Sequence, residues 1–394
     1  MNMKKHFTIT DETIEQPVSH DDPLLGTYTE RVRILVPSDV VKRPKVLFIM
    51  GGETALSDRH LVRPFDAYGQ RNDMVVVCGE HRGYGTSIAG ENQDFPAYVT
   101  VTDALADYHA IRLKFADRFP AEWIACGRSY GGSLAIAYAH AYPKDVSAVL
   151  CSSGVVDWNA MLPEYDAAVR ENLGPVLYER LCKQIDQLTP AEPFSDRWYG
   201  RELIYAFVTG LCQYREYQSL LPAVSALAKL PAEQFVGALK RIDRAFAKSS
   251  AAQYADANKA VTLSNDAARS CGYGWRVWRY QQAFGLGTFW APSESRSIYR
   301  RSPDDWRSEC RALFGERATV FDTGTNWNVR EMVPELNVSL IYVRGGKDPW
   351  RRVGLPDDRS LKNGTVVTMP GGFHCPDNYP DTGPAVMNVL LAYL

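Results

Sequence analysis

Short apolar runs alternate with amphipathic stretches over the first 156 residues of the chain. Runs rich in β-branched and aliphatic residues predict five strands, at residues 31–37, 45–50, 74–78, 123–126 and 146–151. Apolar residues at helical spacing predict helices at 102–119 and 133–142. Because strands that alternate with helices form a mostly parallel sheet covered on both faces, we predict an α/β fold.

The pattern changes between about residues 158 and 327, where β-branched runs are few and Ala, Leu, Tyr, Arg and Gln predominate between prolines. This composition predicts a helical insertion, after which strand character returns at 338–343 and 366–369 and a last helix is expected at 384–394. We therefore divide the chain into a first part of the sheet domain at 1–156, a helical lid insertion at 157–330 and a second part of the sheet domain at 331–394.

The composition is that of an ordinary globular protein, with 45% hydrophobic and 23% charged residues. A net charge of −2 gives no general attraction to nucleic acid or to an anionic membrane, so we expect neither as a partner. Residues 1–23 are polar and contain no apolar run suited to a signal peptide, which predicts a cytoplasmic location. The eight cysteines form no Cys-x-x-Cys pair, which favours reduced, packed thiols, although an even number leaves disulfides possible.

The most informative motif is Gly-Arg-Ser-Tyr-Gly-Gly at residues 127–132. It places Ser129 between a predicted strand at 122–126 and a predicted helix at 133–140, which is the context of a Gly-x-Ser-x-Gly nucleophile elbow. The amide of Tyr130 would then lie at a helix N-terminus, where it can face a developing oxyanion. The alternative is a glycine-rich turn that merely carries a serine.

A serine hydroxyl needs a base to take its proton and a carboxylate to orient that base. In the α/β-hydrolase arrangement the carboxylate and the histidine follow late strands, in that order. Asp348 follows one predicted strand, and His374 follows a strand and a glycine turn. We predict a triad of Ser129, Asp348 and His374, although each of the last two residues would also suit an ordinary turn.

A second oxyanion donor usually comes from the loop after an early strand. The sequence Gly-Gly-Glu at 51–53 follows such a strand and predicts the amide of Gly52 as the donor, with the amide of Glu53 as the alternative. The carboxylate of Glu53 would either bind a substrate ammonium or form a local ion pair, and both interpretations stay open.

Three blocks resemble the prolyl carboxypeptidase and dipeptidyl-peptidase family of serine peptidases. They are Glu-His-Arg-Gly-Tyr-Gly-Thr-Ser at 80–87, the serine motif at 127–132 and Gly-Gly-Lys-Asp-Pro-Trp at 345–350. Residues 18–23 and 26–31 are similar to the start of the related bacterial prolyl tripeptidyl aminopeptidases. The resemblance implies an α/β-hydrolase fold and peptidase activity at prolyl bonds. It also implies export or lysosomal delivery in many members, for which this sequence shows no signal.

Aromatic residues are the candidates for a substrate pocket, because flat rings pack well against a proline ring. Trp-Arg-Tyr-Gln at 278–281 resembles a Trp-x-Tyr-Gln element of the family's lid, but residues 282–285 lack the acidic residue that usually follows before a glycine. We predict Trp278 and Tyr280 as pocket residues, and Trp350 as a further pocket wall or a packing residue.

We therefore expect a serine exopeptidase that acts on short peptides and needs no metal or organic cofactor. An esterase on the same fold, or a non-catalytic binding protein, are the alternatives. The direction of cleavage stays open, because Glu53 and Glu80 offer carboxylates to an ammonium, whereas Arg82 and Arg128 offer cations to a carboxylate. Nothing in the sequence predicts an oligomeric state.

Overall fold

A computed structural model describes residues 6–89, 96–158, 161–193, 195–246, 271–286, 297–300, 302–315, 327–357 and 361–394. The strands are β1 (Phe7–Pro17), β2 (Thr27–Pro37), β3 (Lys45–Met50), β4 (Met74–Gly79), β5 (Trp123–Arg128), β6 (Ala148–Ser152), β7 (Ser339–Gly345) and β8 (Gly364–Met369). They form one eight-stranded sheet in the order β1-β2-β4-β3-β5-β6-β7-β8. The pairs β1–β2 and β2–β4 are antiparallel and all the other neighbours are parallel. The predicted mostly parallel sheet is confirmed.

Helices cover both faces of this sheet. The helices outside the segment between β6 and β7 are α1 (Asp58–Ala67), α2 (Val101–Phe115), α3 (Tyr130–Ala141) and α12 (Gly383–Leu391). Phe48 of β3 packs with α2 and α3 on one face, whereas Leu47 and Ile49 pack with α1 and α12 on the other. Burial on both faces explains why the central strands read as continuous apolar runs.

Strand β1 lies in the polar segment for which the hydrophobic pattern predicts no strand. It pairs with β2 along its whole length, from Phe7 opposite Pro37 to Pro17 opposite Thr27. Because β1 is an edge strand, most of its side chains are exposed or only partly buried. The apolar alternation that marks a strand in a sequence is therefore weak here.

Between β6 and β7 the described residues form helices and no strand. These helices are α4 (Met161–Leu173), α5 (Pro175–Leu188), α6 (Asp196–Gln213), α7 (Leu221–Leu227), α8 (Ala232–Phe246), α9 (Cys271–Tyr280), α10 (Pro303–Phe314) and α11 (Val329–Met332). Several of them bury a separate apolar cluster that includes Leu181, Leu203 and Phe235. The boundaries at residues 157 and 330 stay a prediction. None of the described helices combines the length and apolarity needed to span a bilayer.

Five cysteines on these elements and their loops illustrate the packing. Cys78, Cys126, Cys151, Cys212 and Cys375 are buried free thiols, as predicted. The side chain of Cys271 lies outside the described residues.

A buried charged cluster fixes β1 and β2 against α2. Arg82 donates to both carboxylate oxygens of Asp107, at 2.6 and 2.7 Å. Glu30, which is fully buried, accepts a hydrogen bond from Gln16 at 2.6 Å through one oxygen. Burial, and after it the Asp107 carboxylate, raise the pKa of Glu30 well above its ordinary value.

Glu30 should therefore make stability fall with pH. Below the ordinary glutamate pKa of about 4.3 both the folded and the unfolded chain carry the proton, so there is no penalty. As the pH rises toward the raised pKa of the folded state, the unfolded chain releases the proton first and folding loses up to about 1.4 kcal/mol per pH unit. Glu30→Gln should flatten this decline in the free energy of unfolding, measured by urea denaturation between pH 5 and 8. The exposed Glu15→Gln is the control, and equal slopes for Glu30→Gln and the unchanged protein would contradict the assignment.

Candidate active site

Ser129 alone makes the turn between β5 and α3, which end and begin at its two neighbours. Its φ of +53° and ψ of −126° are values that non-glycine residues rarely adopt. The N–H of Ser129 donates to the carbonyl of Ser152 at 2.9 Å, and its own carbonyl accepts from the N–H of Gly132 at 2.9 Å. The turn therefore has the strained backbone of a nucleophile elbow, which lifts the hydroxyl clear of the sheet.

Two glycines allow the close packing around this turn. A Cβ atom on Gly127 would lie 1.9 Å from the carbonyl oxygen of Gly131, and one on Gly131 would lie 2.7 Å from the carbonyl oxygen of Met50. A Cβ atom on Gly52 would lie 3.5 Å from the Gly131 nitrogen. The loop after β3 therefore packs directly against the start of α3.

His374 and Asp348 form a hydrogen-bonded pair in the loops after β8 and β7. Nδ1 of His374 lies 2.8 Å from Oδ2 of Asp348, and both residues are buried, with 7% and 0% exposure. The other carboxylate oxygen accepts from the N–H of Trp350 at 3.1 Å. Since Asp348 engages Nδ1, the Nε2 nitrogen is the one suited to exchange a proton.

The charge balance at His374 favours a protonated ring. Burial by itself would lower the pKa of His374, but the Asp348 carboxylate and the neighbouring Cys375 together outweigh burial. The net pKa of His374 therefore lies well above its ordinary value.

The end of β6 connects the histidine loop to the serine turn. The N–H of Cys375 donates to the hydroxyl of Ser153 at 2.9 Å, and its thiol lies 3.8 Å from the carbonyl oxygen of Ser152. That same carbonyl accepts the N–H of Ser129. Ser129, His374 and Asp348 are thus gathered at the carboxyl edge of the sheet, the edge where α/β sheets bind ligands.

The two predicted oxyanion donors, the amides of Tyr130 and Gly52, lie at the start of α3. Tyr130 is the first residue of α3, so its N–H has no acceptor within the helix. Gly52 packs against the same helix end. The amide of Gly52 therefore stays the predicted second donor, with the amide of Glu53 as the alternative.

Glu53 itself lies partly buried and close enough to His374 for their charges to interact. Burial raises the pKa of Glu53, and its own amide and His374 oppose that rise only in part. Within the described part of the chain, no Lys or Arg forms an ion pair with this carboxylate. Of the two interpretations left open by the sequence, the local ion pair is therefore not observed among the described residues.

The prediction that Glu80 binds substrate needs correction. Glu80 is fully buried, and its carboxylate accepts hydrogen bonds from the N–H of Leu56 at 2.7 Å, the N–H of Thr86 at 2.9 Å and the hydroxyl of Ser87 at 2.9 Å. A substrate ammonium would have no route to it and no free oxygen to bind. Glu80 is a structural residue that holds the loops after β3 and β4.

The two candidate arginines are also occupied by internal partners. Arg82 is fully buried against Asp107, as described above. Arg128 donates to Asp377 at 2.7 Å and to the hydroxyl of Tyr68 at 2.8 Å. The Arg82 guanidinium is therefore not available to a substrate carboxylate, and Nη2 of Arg128 is committed to internal partners although this side chain is 15% exposed.

The predicted aromatic residues separate into two groups. The ring of Trp278 lies 5.2 Å from the buried ring of Tyr130, and Trp350 lies 6.5 Å from His374, so both contact predicted site residues. Tyr280 instead packs against Phe284 at 4.7 Å and against Phe314, within a small core of the insertion. The prediction of Tyr280 as a pocket residue is corrected accordingly, because its ring fills that core.

Three further aromatic residues contact Tyr130 or His374 and were not predicted. Trp158 and Trp327 lie 6.0 and 6.1 Å from the ring of Tyr130, and Tyr214 lies 6.3 Å from His374. Trp158 follows β6 at the carboxyl edge of the sheet, and this position in the sequence could have identified it as a candidate. Trp327 and Tyr214 belong to distant segments with no such signal.

Comparisons with known proteins identify related sequences. A model of the family described as Serine carboxypeptidase S28 matches residues 31–189. The thymus-specific serine protease of Mus musculus is 24% identical over 363 residues, which cover 78% of this chain and 70% of that protein. The match confirms the resemblance to prolyl carboxypeptidase-type serine peptidases and shows that the chain is a serine hydrolase of the peptidase type. Similarity to the bacterial tripeptidyl enzymes stays a prediction.

Solved structures share the fold at low sequence identity. The crystal structure of VinJ superposes with a TM-score of 0.51 and 13% identity, covering 97% of this chain and 99% of VinJ. A peroxisomal α/β-hydrolase of Saccharomyces cerevisiae gives a TM-score of 0.47 and 12% identity over 98% of this chain and 89% of that chain. The predicted α/β-hydrolase fold is confirmed.

Asp348→Asn should lower kcat by about 10³- to 10⁴-fold, because the imidazole loses its orienting partner and the stabilisation of its protonated form. In the unchanged protein a histidine base must be unprotonated, so kcat/KM should rise with pH around a midpoint above the ordinary histidine value of about 6.5. The substitution should move that midpoint to lower pH in a kcat/KM profile. Asp357→Asn, in an exposed position beyond β7, is the control. An acidic limb that does not move would contradict the role of Asp348.

Proposed function

We propose that this serine peptidase, related to the serine carboxypeptidase S28 family, cleaves short peptides from the amino end through an acyl-enzyme on Ser129. The observation that carries the proposal is the buried hydrogen bond between His374 and Asp348, at 2.8 Å. Cys375, the next residue after His374, and Ser129 both contact the carbonyl of Ser152, so the histidine loop lies next to the strained serine turn. A base, its orienting carboxylate and an elbow serine are the parts that acyl transfer requires.

The proposed reaction follows from this arrangement. Oγ of Ser129 attacks the scissile carbonyl carbon while Nε2 of His374 takes the hydroxyl proton, and the carbonyl oxygen becomes an oxyanion facing the amides of Tyr130 and Gly52. The carbon–nitrogen bond then breaks as His374 returns the proton to the leaving amine. Water, activated by the same histidine, hydrolyses the ester. Asp348 stabilises the imidazolium in both halves.

Glu53 supports cleavage from the amino end. Of the four charged residues considered as receptors for a peptide terminus, Glu80, Arg82 and Arg128 are occupied by internal partners. Glu53 is a partly buried carboxylate beside His374 without a cationic partner in the described part of the chain. A substrate ammonium would form an ion pair with the Glu53 carboxylate and stabilise the ionised form of that carboxylate. We therefore propose that Glu53 binds the amino terminus of the peptide.

Prolyl preference is the second part of the proposal. It is supported by the family resemblance and by flat aromatic surfaces beside the reacting groups. The partly buried rings of Trp278 and Trp327 contact that of Tyr130, and Trp350 lies beside His374. Such rings pack favourably against the flat pyrrolidine of proline.

The insertion supports a limit on substrate size. The N–H of His374 donates to the carbonyl of Gln213 at 2.9 Å, at the end of α6, and the ring of Tyr214 follows it. Helices that close over the histidine would exclude folded proteins more than short peptides. A tripeptide amide should therefore be cleaved much faster than a folded protein.

Ser129→Ala should abolish labelling by a fluorophosphonate and lower kcat for peptides by at least about 10⁴-fold, because no acyl-enzyme can form. The unchanged enzyme should cleave proline-containing peptide amides faster than simple carboxylic esters of similar size. Mass spectrometry of the products from one proline-containing hexapeptide should show release from the amino end. Ser147→Ala, at the opposite edge of the sheet, is the control. Labelling that persists in Ser129→Ala would refute the proposal, and a preference for esters would favour the esterase alternative.

Glu53→Gln should raise KM for peptides with a free amino terminus by roughly 10- to 100-fold, since a hydrogen-bonded charge pair is lost. N-acetylated peptides lack the ammonium, so the substitution should leave their kcat/KM unchanged. Steady-state kinetics with the same peptide in free and acetylated form measures both effects. An equal loss for the two forms would rule out Glu53 as the ammonium receptor.

A further inference from the structure

The side chain of Tyr130 takes part in polar contacts that the proposed reaction does not use. Tyr130 follows Ser129 directly, and its side chain is 1% exposed. Its hydroxyl lies 3.1 Å from Nε2 of His81 and 3.0 Å from Nε2 of Gln281. Oε1 of Gln281 in turn accepts the hydroxyl of Tyr84 at 2.5 Å.

The direction of each hydrogen bond in this network follows from which atoms can only accept or only donate. Nδ1 of His81 lies 2.7 Å from the carbonyl oxygen of Arg82, which can only accept, so Nδ1 carries the proton. Burial lowers the pKa of His81 to about 4, and the neutral ring therefore accepts through Nε2. Tyr130 must donate its proton to His81 and accept the amide N–H of Gln281. Each hydrogen bond in the network therefore has only one possible direction. Rotation of the Tyr130 side chain would break two of these hydrogen bonds.

Gln281 is the residue of the helical insertion that takes part in this hydrogen-bond network. It begins a π-helical turn, Gln281–Gly285, directly after α9, and its side chain is 1% exposed. Such turns are rare and occur frequently at functional sites. One helical turn earlier, the ring of Trp278 packs against that of Tyr130. The insertion therefore holds the residue after Ser129 by a hydrogen bond and by a ring contact.

We propose that Gln281 is a positioning residue for the oxyanion hole. By fixing the hydroxyl of Tyr130, it fixes the orientation of that residue and so the direction of the backbone N–H that faces the oxyanion. The insertion would then take part in the chemical step in addition to limiting access. This inference rests on the proposed function, because it assumes that the Tyr130 amide stabilises an oxyanion.

The expected signature lies in kcat. The oxyanion develops only in the transition state, so a displaced amide costs transition-state stabilisation and leaves substrate binding nearly unchanged. Loss of an oxyanion donor typically costs about 10²- to 10³-fold in kcat, and a misaligned donor should cost less, roughly 10-fold. KM should change by less than about twofold.

The test uses Gln281→Met, Tyr130→Phe and the double variant in the full-length protein, with a fluorogenic peptide that the unchanged enzyme cleaves. Methionine keeps the length of glutamine without its hydrogen bonds. If Gln281 acts through the Tyr130 hydroxyl, each single variant should lower kcat about 10-fold and the double variant should be no slower than Tyr130→Phe. Independent, multiplying losses, or an unchanged kcat in Gln281→Met, would overturn the proposal.

Gln282→Met is the matched control. Gln282 is the next residue, is equally buried, and accepts a hydrogen bond from Arg279 at 3.1 Å within the insertion. It should leave kcat unchanged. Thermal unfolding midpoints of all variants identify any loss that comes from instability.

A second measurement separates positioning from a structural effect. A peptide boronic acid, which forms a tetrahedral adduct with the serine, should bind Gln281→Met less tightly by the same factor as the loss in kcat/KM, whereas the amine product should inhibit as before. If Gln281→Met does not fold, the same pair of inhibitors on Tyr130→Phe provides the decision, and an unchanged boronic acid affinity would refute the proposal. Failure of fluorophosphonate to label Ser129 in the unchanged protein would instead refute the proposed function.

Discussion

Ser129 is held in a left-handed backbone conformation by the close packing of β5, α3 and the loop after β3. A side chain on Gly127 or on Gly131 would collide with backbone carbonyls, so the packing depends on both glycines. A strained residue of this kind persists only when its surroundings hold it. This one turn determines the positions of the Ser129 hydroxyl, the Tyr130 amide and Gly52.

The histidine loop is aligned with the turn by a buried polar network around Asp377. This carboxylate accepts hydrogen bonds from Arg128 at 2.7 Å, from Tyr68 at 2.5 Å and from the hydroxyl of Ser152. Arg128 precedes the serine and Asp377 follows the histidine by three residues. A buried hydrogen-bonded network of this type resists displacement, since removing one partner leaves a buried charge unpaired. The network thereby fixes the histidine loop relative to the serine turn through residues that need not touch a substrate.

The helical insertion contributes contacts at both ends of this arrangement. The carbonyl of Gln213 accepts the N–H of His374, and Gln281 donates to the hydroxyl of Tyr130. The insertion has its own apolar core, so it can present these two groups from a stable layer. In this protein a covering layer therefore also supplies polar contacts to the residues beside the proposed base and nucleophile.

Much of the fold and the outline of the site could be predicted from local pattern. Strand periodicity and turn chemistry each depend on about ten consecutive residues. For this reason the sequence predicts the strands around Phe48 and Val77. It also predicts the motifs that carry Ser129, Asp348 and His374. The edge strand β1 escaped prediction because one exposed edge needs few apolar residues. Glu80 and Tyr280 were assigned to the site because their residue types suit it.

Only the folded chain decided which charged and aromatic side chains face the site. Arg128 is paired with a carboxylate 249 residues away in the sequence, and Tyr84 reaches Gln281 across 197 residues. Residue type and spacing reveal what a side chain is able to bind, but its actual partner depends on contacts between distant segments. For that physical reason the kinds of reacting groups can be predicted from the sequence, whereas the burial of Glu53 and the internal partners of Glu80, Arg82 and Arg128 arise from packing.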